Sequence, residues 1–244
     1  MMDFKKIKKY KHMLYSFFME IRYWSSQMQH VIGYFKKSYS IQKEDLIVSK
    51  YFQTGNGQYI DIGAGHPIYG SNTFLFYKLG WRGICVDPVK GIRRLHRILR
   101  PGDKFICGVI SHENISELQN EIMFYEFNPR ELSTVSSEQV NKYIDAGGGY
   151  RRKYLVTSST LNDLVLFLRK DLPYFISIDV EGMDFELIKQ LKTIEFKPRV
   201  ICIETTSNRE NINVFLESQG YIRTYSSHLN DIYVMKSLIP TSVA

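Results

Sequence analysis

Cysteine is scarce in this chain. Its three cysteines fit neither the spacing of a metal motif nor the even count of a disulfide framework. Cys85, Cys107 and Cys202 each sit inside an apolar run, so they read as core thiols in a reducing compartment. Long hydrophobic runs are also lacking: no stretch reaches the ~20 apolar residues of a membrane span. The basic, then apolar, start of the chain mimics a leader. Glu20 and Arg22 interrupt it, and no small-residue cleavage site follows Phe18. The reading is a cytoplasmic protein. Net positive charge is scarce outside the first 50 residues. These hold ten Lys or Arg against four Asp or Glu, and so carry nearly all of the formal net charge of +7. Domains that read nucleic acid usually carry their charge on the body, which argues against that partner. Internal repeats and low-complexity tracts are absent. A hydrophobic content of 44% marks a globular chain.

Aromatic residues are plentiful, with 17 Tyr and 15 Phe. Residues 1–37 predict a basic amphipathic helical arm. Ile7, Tyr10, Leu14, Phe17, Ile21, Trp24, Met28 and Phe35 recur at helical spacing behind a lysine-rich start. Such an arm packs on the main domain, on a second copy of the chain, or on a membrane surface. Residues 38–244 predict one α/β domain. A helix begins near Gln42, with Glu44 and Asp45 in its first turn. Strands are read at 58–62, 83–87, 104–110, 174–179 and 199–204, and helices at 73–79, 89–99, 160–168, 184–191 and 208–219. Arg93, Arg94, Arg97 and Arg100 read as a solvated helix face. Residues 111–157 are less regular, with β runs at 122–127 and 133–136 and a polar, glycine-rich loop near 147–153, read as a lid or a solvated excursion. Ser158 or Ser159 caps the 160–168 helix. Residues 221–225 and 231–235 form a closing hairpin. The fold class is α/β, a doubly wound, mostly parallel sheet with an antiparallel hairpin at its end.

In that plan ligands sit at the carboxyl ends of the strands. There Gly63 and Gly65 end the first strand, Asp87 ends the second, Asp179 and Glu181 follow the fourth, and Glu204 closes the fifth. The glycines let a backbone approach a ligand closely. The interval from Gly63 to Asp87 is that from a glycine turn to an acid that holds ribose hydroxyls. Together they indicate a nucleoside-bearing cofactor. NAD uses the same geometry, but Ile68 stands where its third glycine belongs, and no Tyr-x-x-x-Lys pair follows at Tyr143 or Tyr150. Asp179 is the first candidate base for a hydroxyl proton, and His228, between the last two strands, is the second. Asp179 and Glu204 are also candidate ligands for Mg²⁺.

Five segments are similar to FkbM-type methyltransferases: Tyr39–Leu46 (YSIQKEDL), Tyr59–Thr73 (YIDIGAGHPIYGSNT), Gly80–Pro88 (GWRGICVDP), Thr160–Leu164 (TLNDL) and, most specifically, Ile178–Leu187 (IDVEGMDFEL). The resemblance spans residues 38–236. It implies a Rossmann-like class I methyltransferase fold and O-methylation of a sugar or related hydroxyl with S-adenosylmethionine. It further implies that Asp61, Gly63 and Gly65 hold the methionine end and that Asp87 binds the ribose. Ser71 and Asn72 line the same pocket, and Asp179 and Glu181 face the methyl group and the acceptor. Two positions depart from the usual family pattern: Asp87 stands where Glu is common, and Met183-Asp184 where Ala-Glu is common.

Overall fold

A computed structural model describes residues 37–52, 55–111, 121–128, 132–180, 182–205 and 208–239. All but Lys37 belong to one unit, Ser38–Ala244. The expected arm and Glu181 lie outside the described residues.

Among the described residues seven strands build the main sheet: β1 (Gln58–Ile62), β2 (Arg82–Val86), β3 (Lys104–Ile106), β7 (Tyr174–Ile178), β8 (Val200–Glu204), β9 (Tyr221–Ser226) and β10 (Asn230–Met235). Their order is β3-β2-β1-β7-β8-β10-β9. The first five run parallel, and β10 lies antiparallel between β8 and β9. The expected Rossmann-like plan is therefore present, closing hairpin included. β1, β7 and β8 are buried along their whole length, as near-continuous apolar strands covered on both faces must be. Period-two alternation sorts their side chains. Ile60, Ile62, Ile176, Ile178, Ile201 and Ile203 pack on one face against Leu164, Leu187, Leu191, Ile212 and Leu216. Tyr59, Cys85, Phe175 and Cys202 pack on the other, against Val48, Phe76 and Trp81. Cys85 and Cys202 are thus the core thiols expected, whereas Cys107 is only half-buried.

The helices are α1 (Glu44–Ser49), α2 (Phe74–Lys78), α3 (Lys90–Leu99), α4 (Ser137–Asp145), α5 (Leu161–Val165), α6 (Asp184–Ile188) and α7 (Arg209–Ser218). Among the described residues, no helix is long and apolar enough to cross a membrane. Thr160, rather than Ser158 or Ser159, caps α5, through a reciprocal capping box with Asp163.

The largest departures from expectation lie between residues 104 and 159. The strand read at 104–110 is two strands. Lys104–Ile106 ends the main sheet, and β4 (Gly108–Ile110) leaves it to pair with β6 (Gly149–Ser159). Gly108 permits the departure, because a Cβ there would lie 2.4 Å from the Thr157 carbonyl oxygen. Of the segment read as a lid or loop at 147–153, residues 149–153 are the first half of β6, an antiparallel partner of β5 (Glu121–Asn128). Its glycines and charges gave it loop composition. Pairing with β5 and the cross-strand contacts Phe127–Tyr150 and Phe124–Tyr154 hold it as a strand. In the 133–136 run only Thr134 pairs, as an isolated bridge to Tyr125.

Candidate active site

The chain builds outward from β1 through β2 to β3, then returns to the other side of β1 with β7. The crevice at the carboxyl ends of β1 and β7 is therefore the switch point where such sheets take ligands. Gly63 and Gly65 adopt φ of 76° and 50°, in the left-handed region. The Gly63 and Ala64 amides both donate to the Val86 carbonyl, each at 3.0 Å. Across the crevice the Asp179 amide donates to the Ile62 carbonyl at 3.0 Å. A Cβ on Gly63 would sit 1.7 Å from the Asp179 carbonyl oxygen, so the turn after β1 and the exit from β7 fit together only with glycine. At Gly65 the nearest atom to such a Cβ would be 3.8 Å away, so the backbone there has open space beside it.

Asp87 stands directly after β2 and braces this turn. Its two carboxylate oxygens accept the Gly65 amide at 3.0 Å and the Val89 amide at 2.8 Å. His96 Nε2 lies 3.1 Å from the Gly65 carbonyl oxygen, which can only accept, so Nε2 carries the proton. Burial, aided by the Arg100 charge, pushes His96 down to about 3, and it is a neutral imidazole at physiological pH.

Beneath the turn lies a buried polar hub. Arg100 donates through Nε to Asp103 at 2.6 Å, through Nη1 to Ser71 Oγ at 3.3 Å and through Nη2 to Thr73 Oγ1 at 3.0 Å. Asp61 accepts from the Thr73 hydroxyl and lies 3.8 Å from Arg100 Nη1. Burial raises the Asp61 carboxyl, and Arg100 opposes that shift. Ser71 Oγ also accepts the Phe74 amide at 3.1 Å at the start of α2. Asn72 reaches Ser177 Oγ on β7 at 3.0 Å. The structure thus gives Asp61, Ser71 and Asn72 internal partners that shape the loop under the turn. Arg100 is fully buried rather than part of a solvated helix face.

The β7–β8 side is built differently. Asp179 is exposed at the strand end. Asp184, at the start of α6, is buried, and its carboxylate accepts the Val180 amide at 3.1 Å and the Gly182 amide at 3.2 Å. Burial, reinforced by the charge of Glu204, pushes Asp184 up to about 7. Glu204 is buried at the end of β8. Among the described residues no three His, Cys, Asp or Glu side chains are grouped to hold a metal. Of the Asp179–Glu204 pair read from the sequence, Asp179 directly follows β7 and Glu204 ends β8. His228 is exposed in the β9–β10 turn, with Gln42 Nε2 2.8 Å from its Nδ1. α4 reaches this side too: a Cβ on Gly182 would meet Gln139 Nε2 at 2.9 Å.

Asp184, His96 and Arg100 are the residues the sequence reading did not place. Asp184 had a signal, being the carboxylate that follows the Asp-Val-Glu-Gly run. His96 and Arg100 had none, since both lie in a polar helix that reads as solvated.

A doubly wound sheet with a glycine turn and a strand-end acid at its switch point is a Rossmann-like ligand-binding architecture. The Methyltransferase FkbM domain matches residues 61–233, and the chain belongs to that family. Among solved structures, precorrin-6y C5,15-methyltransferase from Geobacter metallireducens GS-15 is similar at 12% identity, over 81% of this chain and 91% of that one, with a TM-score of 0.40. No curated protein matches.

Proposed function

We propose that the chain is an S-adenosylmethionine-dependent O-methyltransferase whose acceptor is a hydroxyl of a sugar or glycan precursor. The observation that carries this reading is the interlock at the switch point. A side-chain-free turn braced by Asp87 meets the backbone of Asp179, an exposed residue, across one hydrogen-bonded crevice. The residues fit the cofactor. Open backbone at Gly65 suits a close ligand approach, and Asp87 lies where an acid meets ribose hydroxyls. When bound, S-adenosylmethionine supplies an electrophilic methyl group on a sulfonium. The chain's own residues hold and orient. Gly63, Gly65 and Asp87 form the binding wall, and the Asp184 bonds to Val180 and Gly182 fix the loop that follows Asp179. Asp179 takes the hydroxyl proton at a carboxylate oxygen as the methyl group transfers. A positioned base of this kind contributes about 10²–10⁴-fold. The arm over 1–37 adds membrane-surface contact or self-association to the same cytoplasmic enzyme.

Calorimetry with S-adenosylhomocysteine tests the reading. Binding in the micromolar range is expected, with a strong loss in Asp87→Ala. A protein that ignores this ligand at millimolar concentration but responds to NADH would overturn it.

A further inference from the structure

The β5–β6 ribbon carries a β-bulge whose consequence lies outside the crevice. Glu126 pairs with Arg152 and Phe127 with Tyr150, so Arg151 is the extra residue. A bulge re-aims side chains that strict alternation would send to opposite faces. Here both arginines reach one carboxylate. Arg152 Nη2 lies 3.0 Å and Arg151 Nη1 3.7 Å from Glu126 oxygens. The Glu126 side chain is 3% exposed, while those of Arg151 and Arg152 are 47% and 63% exposed. A buried acid therefore orients two guanidinium groups whose outer N–H groups face solvent. Tyr154 ties the cluster to the cofactor side. Its hydroxyl lies 3.2 Å from Glu126 Oε2 and 3.5 Å from the carbonyl oxygen of Pro88, the residue after Asp87. Lys90 Nζ and the Arg152 guanidinium lie 5.4 and 5.3 Å from the centre of the Tyr154 ring.

Two guanidinium groups on one carboxylate leave a net positive charge, and Lys90 over the Tyr154 ring adds to it. Paired guanidinium forks suit phosphate oxygens in particular. We propose that Arg151 and Arg152, set by the bulge and by Glu126, bind a phosphate group of the acceptor, so that the substrate is a phosphate-bearing sugar. This rests on the methyltransferase reading above and narrows its acceptor. A phosphate held away from the reacting hydroxyl supplies binding energy that positions that hydroxyl.

The test is calorimetry of the full chain with four probes: glucose 1-phosphate, UDP-glucose, glucuronate and glucose. S-adenosylhomocysteine is titrated on the same samples. Binding of either phosphate-bearing probe, and not of glucose, is expected. The R151A/R152A double variant should lose about 10- to 100-fold of that affinity, the worth of one or two charged hydrogen bonds, while its S-adenosylhomocysteine affinity stays unchanged. A phosphate on the sugar itself favours glucose 1-phosphate, and a nucleotide-linked sugar favours UDP-glucose. Should the double variant fail to fold, wild-type protein settles the matter: glucose 1-phosphate should slow phenylglyoxal modification of the peptide carrying Arg151 and Arg152. Three outcomes overturn the inference: no phosphate-probe binding at roughly 10 mM, glucuronate binding as well as glucose 1-phosphate, or unchanged affinity and unchanged modification. Loss of S-adenosylhomocysteine binding in the wild type would instead sink the methyltransferase reading.

Discussion

The two halves of the sheet's carboxyl edge are built on opposite principles. On the β1–β2 side the polar groups under and around the turn are tied into the fold. Asp87 takes two amides, His96 takes the Gly65 carbonyl, and Arg100 gathers Ser71, Thr73 and Asp103. On the β7–β8 side Asp179 is exposed, and Asp184 is a buried carboxyl pushed up to about 7. One half is fixed in advance, as a binding wall must be if it is to lose little entropy when occupied. The other keeps Asp184, a carboxyl that exchanges its proton near neutral pH, beside the exposed Asp179. The halves meet where the Asp179 amide bonds the Ile62 carbonyl and Gly63 packs against the Asp179 carbonyl, and the largest effects are expected there.

Gly63→Ala is expected to be the most damaging change. Its Cβ would lie 1.7 Å from the Asp179 carbonyl oxygen, and its φ of 76° is strained for any other residue. The two halves would have to separate, with loss of S-adenosylhomocysteine binding and a cooperative melt at much lower temperature. Gly65→Ala is the control. With 3.8 Å of clearance it bears only the left-handed backbone penalty, about 1–2 kcal/mol. Circular dichroism melts of the two variants should differ widely. Equal losses would show that backbone strain, not the interlock, makes glycine necessary.

Asp179→Asn should separate the functions of the two walls. It removes the base and leaves the β1–β2 side intact. A fall in turnover of about 10²–10⁴-fold is expected, with S-adenosylhomocysteine affinity within about twofold of wild type by calorimetry. A matching loss of affinity would place Asp179 in the binding wall.

Much of this contrast was legible in the sequence. Near-continuous apolar strands and the strand-end positions of Gly63, Asp87 and Asp179 depend on local pattern, and the parallel sheet follows from them. The supports were not legible, because each depends on a distant partner. Arg100 reads as solvated until α3 packs its end against the loop holding Ser71 and Thr73. The 147–153 segment reads as loop because its glycines and charges outweigh the aromatic contacts that only β5 can supply. The Arg151 bulge has no local signal at all, since an extra residue in one strand is defined only by the register of the other.

The titratable side of the comparison is sharpened by Asp184→Asn. An aspartate has a pKa of about 3.9 unfolded, and burial raises this one to about 7 in the fold. Between these values the folded state holds a proton that the unfolded chain has released. The stabilising contribution of the protonated form is therefore complete below pH ~3.9 and lost as pH rises through about 7, by roughly 4 kcal/mol in all. Asparagine has no such proton, so urea unfolding of Asp184→Asn should lack this fall between pH 4 and 8. Asparagine also offers one acceptor oxygen to the Val180 and Gly182 amides where the carboxylate present above about pH 7 offers two. A wild-type slope that persists in the variant would assign the titration to another group.

His228→Ala is expected to do least, and that is its use. The imidazole is exposed in the β9–β10 turn, so its removal leaves no cavity and costs one contact, that with Gln42 Nε2. Stability should change by less than about 1 kcal/mol. If Asp179 alone takes the hydroxyl proton, turnover should fall by less than about threefold, and its pH profile should keep its shape. A fall as deep as that of Asp179→Asn would move the base to the hairpin. The reacting wall would then extend across β8 to β10, and the Gln42 contact would become the bond that orients the imidazole.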